Sequence, residues 1–135
     1  MRPLRSDTFP LSGYRLIEAS AGTGKTYTIT NLYLRLLLGQ GDPGQRPLGV
    51  DEILVLTFTI AATEELRARI RRRITEARDV FRGSATGDEF LTGLTHASQD
   101  AHRDVSLLTA ALQLMDEASI FTIHGFCARV LADNA

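Results

Sequence analysis

Residues 19–26 read ASAGTGKT, a run of small residues and glycines ending in a lysine–threonine pair. The spacing matches the phosphate-loop pattern except that Ala19 stands where the first glycine is expected. Gly22 and Gly24 allow successive backbone N–H groups to turn inward around a phosphate, since glycine tolerates positive φ and carries no Cβ to block the anion. A helix starting near Lys25 would add the positive end of its dipole. Lys25 could then reach the β- and γ-phosphate oxygens, and the Thr26 hydroxyl could ligate a Mg²⁺ held between them. Lys25 and Thr26 are the expected catalytic pair, with Thr26 also the metal ligand. Ala19, Ser20, Ala21, Gly22, Thr23 and Gly24 complete the nucleotide-binding set. Of 15 basic residues in the chain, Lys25 is the only lysine. A chain that uses arginine everywhere else retains a slim ammonium at the position where phosphoryl chemistry needs a point charge.

Two further segments combine hydroxyls with aromatic or imidazole groups. LTFTIAATEELRARI covers residues 56–70 and FTIHGFCARVL covers residues 121–131. Each places threonine next to Phe or His at the carboxyl end of an apolar run, and ligands of open α/β sheets sit at such strand ends. Thr59 and Thr122 suit phosphate oxygens, and Phe58, His124 and Phe126 could stack on bases. The same residue types would serve equally as core phenylalanines and helix-capping threonines.

These groups must be positioned by regular elements. A strand is expected over residues 14–18 (YRLIE), followed by the glycine turn and a helix over 25–38 with Ile29, Leu32, Tyr33, Leu36 and Leu37 at helical spacing, closed by Gly39. The Gly- and Pro-dense stretch 39–49 reads as a surface loop. ILVLTF, residues 53–58, has the continuous apolar pattern of a strand buried on both faces. An amphipathic helix follows over 61–81, with Leu66, Ile70, Ile74, Ala77 and Phe81 on one face. The seven Arg and four acids between Glu64 and Arg82 are assigned to the others. Residues 82–100 read as a loop or frayed helix, 104–118 as a helix, 120–123 as a third strand and 126–131 as the start of another helix. Strands alternating with helices point to an α/β fold with a parallel sheet in a single domain. Three strands are few for such a sheet, which marks the segment as part of a larger domain.

Composition sets the outer bounds. The net charge of -1 excludes a polycation, so any DNA contact must be local. With 44% hydrophobic and 23% charged residues the chain is globular rather than disordered. Its apolar runs are too short for a bilayer, so no membrane role and a cytoplasmic location are expected. The single cysteine, Cys127, can form no intrachain disulfide. ATP is the favoured nucleotide, since an Asn-Lys-x-Asp guanine signature needs a second lysine. Neither apolar run at 53–58 or 120–123 leads into an acid, so hydrolysis by these residues alone should be poor.

EASAGTGKT, TFTIAATEELRARI and FTIHGFC, in this order, resemble motifs I, Ia and Ib of the superfamily 1 UvrD-like helicases. Within that superfamily RLIEASAGTGKTYTITNLYLRLLLG and MDEASIFTIHGFCARVL resemble the RecB-like beta subunits of exodeoxyribonuclease V. The likeness extends over about residues 10–135, with 82–104 poorly matched. It implies a P-loop NTPase (RecA-like) parallel sheet with flanking helices, here a truncated part of helicase domain 1A. It also implies binding of ATP and Mg²⁺, ATP-driven movement on single-stranded DNA, unwinding of duplex ends, a nuclease elsewhere in the polypeptide and RecC-like and RecD-like partner subunits. Carried over by position, residues 19–26 bind ATP·Mg²⁺, Phe58 and Thr59 belong to the first DNA-contacting segment, and Thr122, His124 and Phe126 to the second. Ile60 departs from the family, which usually has Glu there. A small-molecule P-loop kinase, for which TFTIAATEEL has no role, and a non-catalytic nucleotide-binding module are the alternatives.

Overall fold

The computed structural model describes residues 23–41 and 44–133. The strand expected over residues 14–18 and the loop residues Ala19, Ser20, Ala21 and Gly22 lie outside the described residues.

Helix α1 spans Thr23–Leu38, beginning two residues earlier than expected. It is a central element: Ile29, Leu32, Tyr33, Leu34, Leu37 and Leu38 are buried, and so are Thr30, Asn31 and Arg35. Burial thus extends well beyond one apolar stripe. The helix ends as its glycine foretold. Gly39 takes φ +68°, its N–H donates to the Leu36 carbonyl at 3.3 Å, and the Gln40 N–H donates to the Arg35 carbonyl at 2.9 Å. These two bonds form a Schellman motif.

Strand β1 is Leu54–Thr57 and strand β2 is Ser119–Thr122. They pair in parallel with Leu54 opposite Ser119 and Thr57 opposite Thr122, and they form the one sheet among the described residues. β1 departs from the expected strand buried on both faces. Leu54 is 49% exposed and Phe58, just past its end, is 56% exposed. Among the described residues, which supply a single partner strand, nothing packs on part of this surface.

Helix α2, Ile60–Phe81, follows β1 directly and buries Leu66, Ile70, Ile74 and Ala77 as its periodicity requires. One arginine assigned to the polar faces proves otherwise: Arg73 is only 7% exposed. It lies three residues from Ile70 and four from Ala77, on the core side of the helix. Residues 82–100 are more ordered than expected. They contain α3, Glu89–Ala97, whose N-cap Asp88 accepts the Leu91 N–H at 3.0 Å and which buries Leu91 and Leu94. Helix α4, Ala101–Gln113, starts three residues earlier than its apolar spacing indicated, because the Asp100 carboxylate caps it through the Arg103 N–H. It gives way to a 3-10 turn at Met115–Glu117. Helix α5, Ile123–Asp133, begins immediately after β2, so Ile123 is helical and not part of the strand. Two parallel strands joined by a crossover of helices fit the α/β class. Tyr33, Leu34, Ile70, Ile74, Leu108, Met115 and Ile120 form the center of the core.

Candidate functional site

The parallel register determines what surrounds the two strand ends. Because Thr57 lies opposite Thr122, Phe58 and Thr59 leave β1 at the same edge where Ile123 and His124 leave β2. Both strands pass into a helix within two residues, and a threonine governs each start. Thr59 adopts extended backbone (φ -132°, ψ 157°) and its Oγ1 accepts the Ala62 N–H at 3.0 Å. Thr122 Oγ1 accepts the Gly125 N–H, also at 3.0 Å. A Cβ at position 125 would stand 2.9 Å from that hydroxyl, so glycine permits the cap. The capping function anticipated as one option for the threonines is therefore present.

The aromatic residues divide. Phe58 projects from the edge at 56% exposed, with Ile60 at 73% beside it, and is not part of the core formed by the described residues. Phe126 is half-buried, its ring stacked on Phe121 with centroids 6.3 Å apart and planes at 23°. The Arg129 guanidinium lies 4.9 Å from the Phe121 ring centroid, a cation–π distance. His124 is exposed, but it sits in the first turn of α5 and not at a strand end. Neither α2 nor α5 carries an acid in its first turn, so neither helix supplies a carboxylate of its own to its positive end.

Beneath this edge is a group that residue types alone did not single out. Thr57 is 3% exposed, and its hydroxyl lies 3.2 Å from the Thr59 carbonyl, 3.4 Å from the Phe121 carbonyl and in hydrogen-bond contact with the Thr63 hydroxyl. The signal was a second threonine two residues before Thr59, at a point in a strand where valine would pack equally well.

At the other candidate site, Thr23, Gly24, Lys25 and Thr26 form the first turn of α1, which has no acidic residue. That suits a polyphosphate with its Mg²⁺, as the amides of a first turn have no partners within their own helix. Thr26 is half-buried; the side chains of Thr23 and Lys25 are outside the described ones. A little further along, α1 is joined to α2 and α3 by Arg73. Its Nε donates to Asn31 Oδ1 at 2.9 Å and its Nη1 to Asp88 at 2.8 Å and Glu76 at 3.1 Å, while the guanidinium lies 5.1 Å from the Tyr27 ring and 5.7 Å from that of Phe90. Burial alone would raise the Asp88 pKa. The hydrogen bond from Arg73, followed by that of the Leu91 N–H, outweighs it and holds the carboxyl below its ordinary value. Tyr33, in the core of α1, has its phenol pushed up to about 12 by burial, which Arg67 partly offsets.

Among the described residues no helix is long and apolar enough to cross a membrane, and no cluster of three or more His, Cys, Asp or Glu is placed to hold a metal ion.

Two strand-to-helix turns at one edge of a pair of parallel strands are compatible with an α/β domain. The chain belongs to the UvrD/REP helicase N-terminal domain family, whose match spans residues 4–135. It is 53% identical over 135 residues to the RecBCD enzyme subunit RecB of Escherichia coli (strain K12), covering 98% of this chain and 11% of that protein. It is 51% identical to the RecB subunit of Haemophilus influenzae, with 98% and 12% covered, and 39% identical to that of Mycobacterium tuberculosis, with 86% and 10% covered. The chain therefore spans about a tenth of the length of these relatives.

Proposed function

We propose that the chain is the ATP-binding portion of a RecB-like DNA helicase and exonuclease subunit. The parent protein would unwind DNA ends by ATP hydrolysis in double-strand break repair and recombination. It would act in the cytoplasm together with RecC-like and RecD-like subunits. The observation that carries this reading is the register of β1 and β2. It brings Phe58, Thr59, Thr122 and His124 to one edge, with an aromatic face open to solvent at Phe58. Single-stranded DNA lying across that edge would set its phosphates near the threonines and a base against Phe58. Phe126, turned onto Phe121, supports the second segment more than it offers a free stacking face.

Residues 19–26 would hold ATP·Mg²⁺. When bound, Mg²⁺ would supply neutralisation of the charge that develops on the phosphates. Lys25 supplies positive charge to the transferring phosphoryl group, and the Thr26 hydroxyl is the ligand this segment offers the metal. The carboxylate that orients the attacking water must come from elsewhere in the polypeptide, since β1 and β2 lead into Phe58 and Ile123. Residues 1–135 by themselves should therefore turn over ATP negligibly. Lys25→Ala in the full-length protein tests the nucleotide reading. It should abolish ATP-dependent unwinding, and Lys25→Arg should fail to restore it because the planar guanidinium is too wide for the loop. Unchanged turnover in Lys25→Ala would overturn the assignment.

A further inference from the structure

We propose that Thr57 is a positioning residue, whose buried hydroxyl locks the turn that presents Phe58. This rests on the reading of Phe58 as a DNA-contacting side chain. Side chains alternate across a strand, and at the end of β1 the alternation is extreme: Thr57 is 3% exposed and the next residue, Phe58, is 56% exposed. Any rotation of the backbone that turned Thr57 outward would turn the Phe58 ring inward.

The Thr57 hydroxyl reaches three separate pieces of structure. These are the turn, through the Thr59 carbonyl at 3.2 Å; helix α2, through the Thr63 hydroxyl; and the neighbouring strand, through the Phe121 carbonyl at 3.4 Å. Thr63 also lies 3.1 Å from the Thr59 carbonyl. Two hydroxyls have two protons between them. If Thr63 donates to the Thr59 carbonyl, Thr57 donates to Thr63. If Thr63 donates to Thr57, Thr57 donates to the Thr59 or the Phe121 carbonyl. In both arrangements each proton is used within the cluster and the turn is fastened.

A buried hydroxyl is costly unless bonded, and valine has the same branching and stiffness at this position. Packing and strand formation therefore give no reason for a hydroxyl here, whereas fastening the turn does. Where Thr57 donates to the Phe121 carbonyl, the first segment is also tied to β2, one residue before Thr122. The Thr57–Thr63 contact, common to both arrangements, holds Phe58 at a fixed place relative to α2.

The test uses the full-length protein carrying Thr57→Val, which keeps the shape and removes the hydroxyl, and Thr57→Ser, which keeps the hydroxyl. Binding of a labelled oligothymidylate is followed by fluorescence anisotropy at fixed salt. 4-Fluorophenylalanine is placed at position 58 for fluorine NMR. Thr57→Val should weaken DNA binding roughly three- to tenfold, the range of one net hydrogen bond, with the ATP KM measured without DNA unchanged and affinity recovered in Thr57→Ser. In a Phe58→Ala background Thr57→Val should add nothing, because its effect passes through the ring. The fluorine signal should shift or broaden in Thr57→Val. Thr63→Val, at a partly exposed position, should do the same to a smaller degree and serves if Thr57→Val does not fold. Full DNA affinity in Thr57→Val, or an equal further loss in the Phe58→Ala background, would overturn the proposal. If Phe58→Ala itself leaves affinity intact, the DNA reading of this edge fails. The fluorine signal then still decides whether Thr57 holds the ring, and an unchanged signal overturns the positioning role.

Discussion

Asp88 performs two tasks with one carboxylate, and its removal separates them. One oxygen caps α3 by accepting the Leu91 N–H at 3.0 Å, and the other takes a hydrogen bond from Arg73 Nη1 at 2.8 Å. Loss of an N-cap costs about 1 kcal/mol. The ion-pair contribution falls between limits: a fully buried pair broken on one side costs about 3–5 kcal/mol, whereas an exposed one is worth about 0–1 kcal/mol. Arg73 is buried, but the Asp88 side chain is 23% exposed and Glu76 remains as a second partner at 3.1 Å. About 1–2 kcal/mol is therefore expected, giving about 2–3 kcal/mol in all for Asp88→Ala. That corresponds to a roughly 30- to 150-fold larger population of opened α3. Hydrogen exchange of the α3 amides in the full-length protein, read by mass spectrometry, measures it. Asp88→Asn keeps an effective cap and loses the charge, so it should show only the ion-pair part. The pH dependence has a definite sign. The folded pKa of Asp88 lies below the ordinary value of 3.8, so its stabilisation is complete above that value. It is lost as pH falls through the lowered folded pKa, and the gap between wild type and Asp88→Asn should close only in that acid range. Exchange in Asp88→Ala within twofold of wild type at neutral pH would refute the two-task assignment.

Phe58→Leu should leave folding nearly unaffected, since more than half of the ring is already in solvent, while weakening single-stranded DNA binding by about 1–3 kcal/mol through loss of a stacking face. A drop in thermal stability with unchanged affinity would reverse the reading. Ile60→Glu exchanges a 73% exposed apolar side chain for an acid in the first turn of α2, where none is present. It should stabilise that helix by about 0.3–1 kcal/mol at low salt, declining as salt is added; a salt-independent effect would argue against a dipole origin. Gly39→Ala meets both positive φ and a Cβ contact of 2.8 Å to the Pro47 backbone nitrogen. It should cost more than the roughly 1–2 kcal/mol of an αL residue alone, detected as faster exchange at the end of α1.

Much of this arrangement could be read directly from residue order, and the exceptions have physical causes. The long apolar periodicities of α1 and α2 identified both helices, and Gly39 marked a real C-terminus. Residues 82–100 hid α3 because Thr, Gly and His dilute a nine-residue helix below a clear period; the usable signal was Asp88 as a cap three residues before Leu91. Arg73 was assigned to a polar face because charge normally belongs in water, but Asn31, Asp88 and two aromatic rings supply it with partners that no local spacing reveals. The expectation of a doubly buried β1 failed at Leu54 and Phe58. An apolar run records how much surface a strand can bury, and neighbours decide how much it does bury. At the candidate site, the two segments were recognisable by composition, but their adjacency depends on a strand register formed across more than sixty residues.

The two capping threonines have a further consequence. A hydroxyl carries one hydrogen and two lone pairs, and each cap occupies one lone pair, at Thr59 with the Ala62 N–H and at Thr122 with the Gly125 N–H. The hydrogen remains available to an oxygen arriving from solvent, so starting a helix and donating to a phosphate are compatible tasks for the same atom. Since the cap has already restricted each side chain, that donation requires little additional loss of rotational freedom. A ligand rich in acceptors would find two donors oriented in advance, fixed in separation by the sheet and prepared by folding before it arrives.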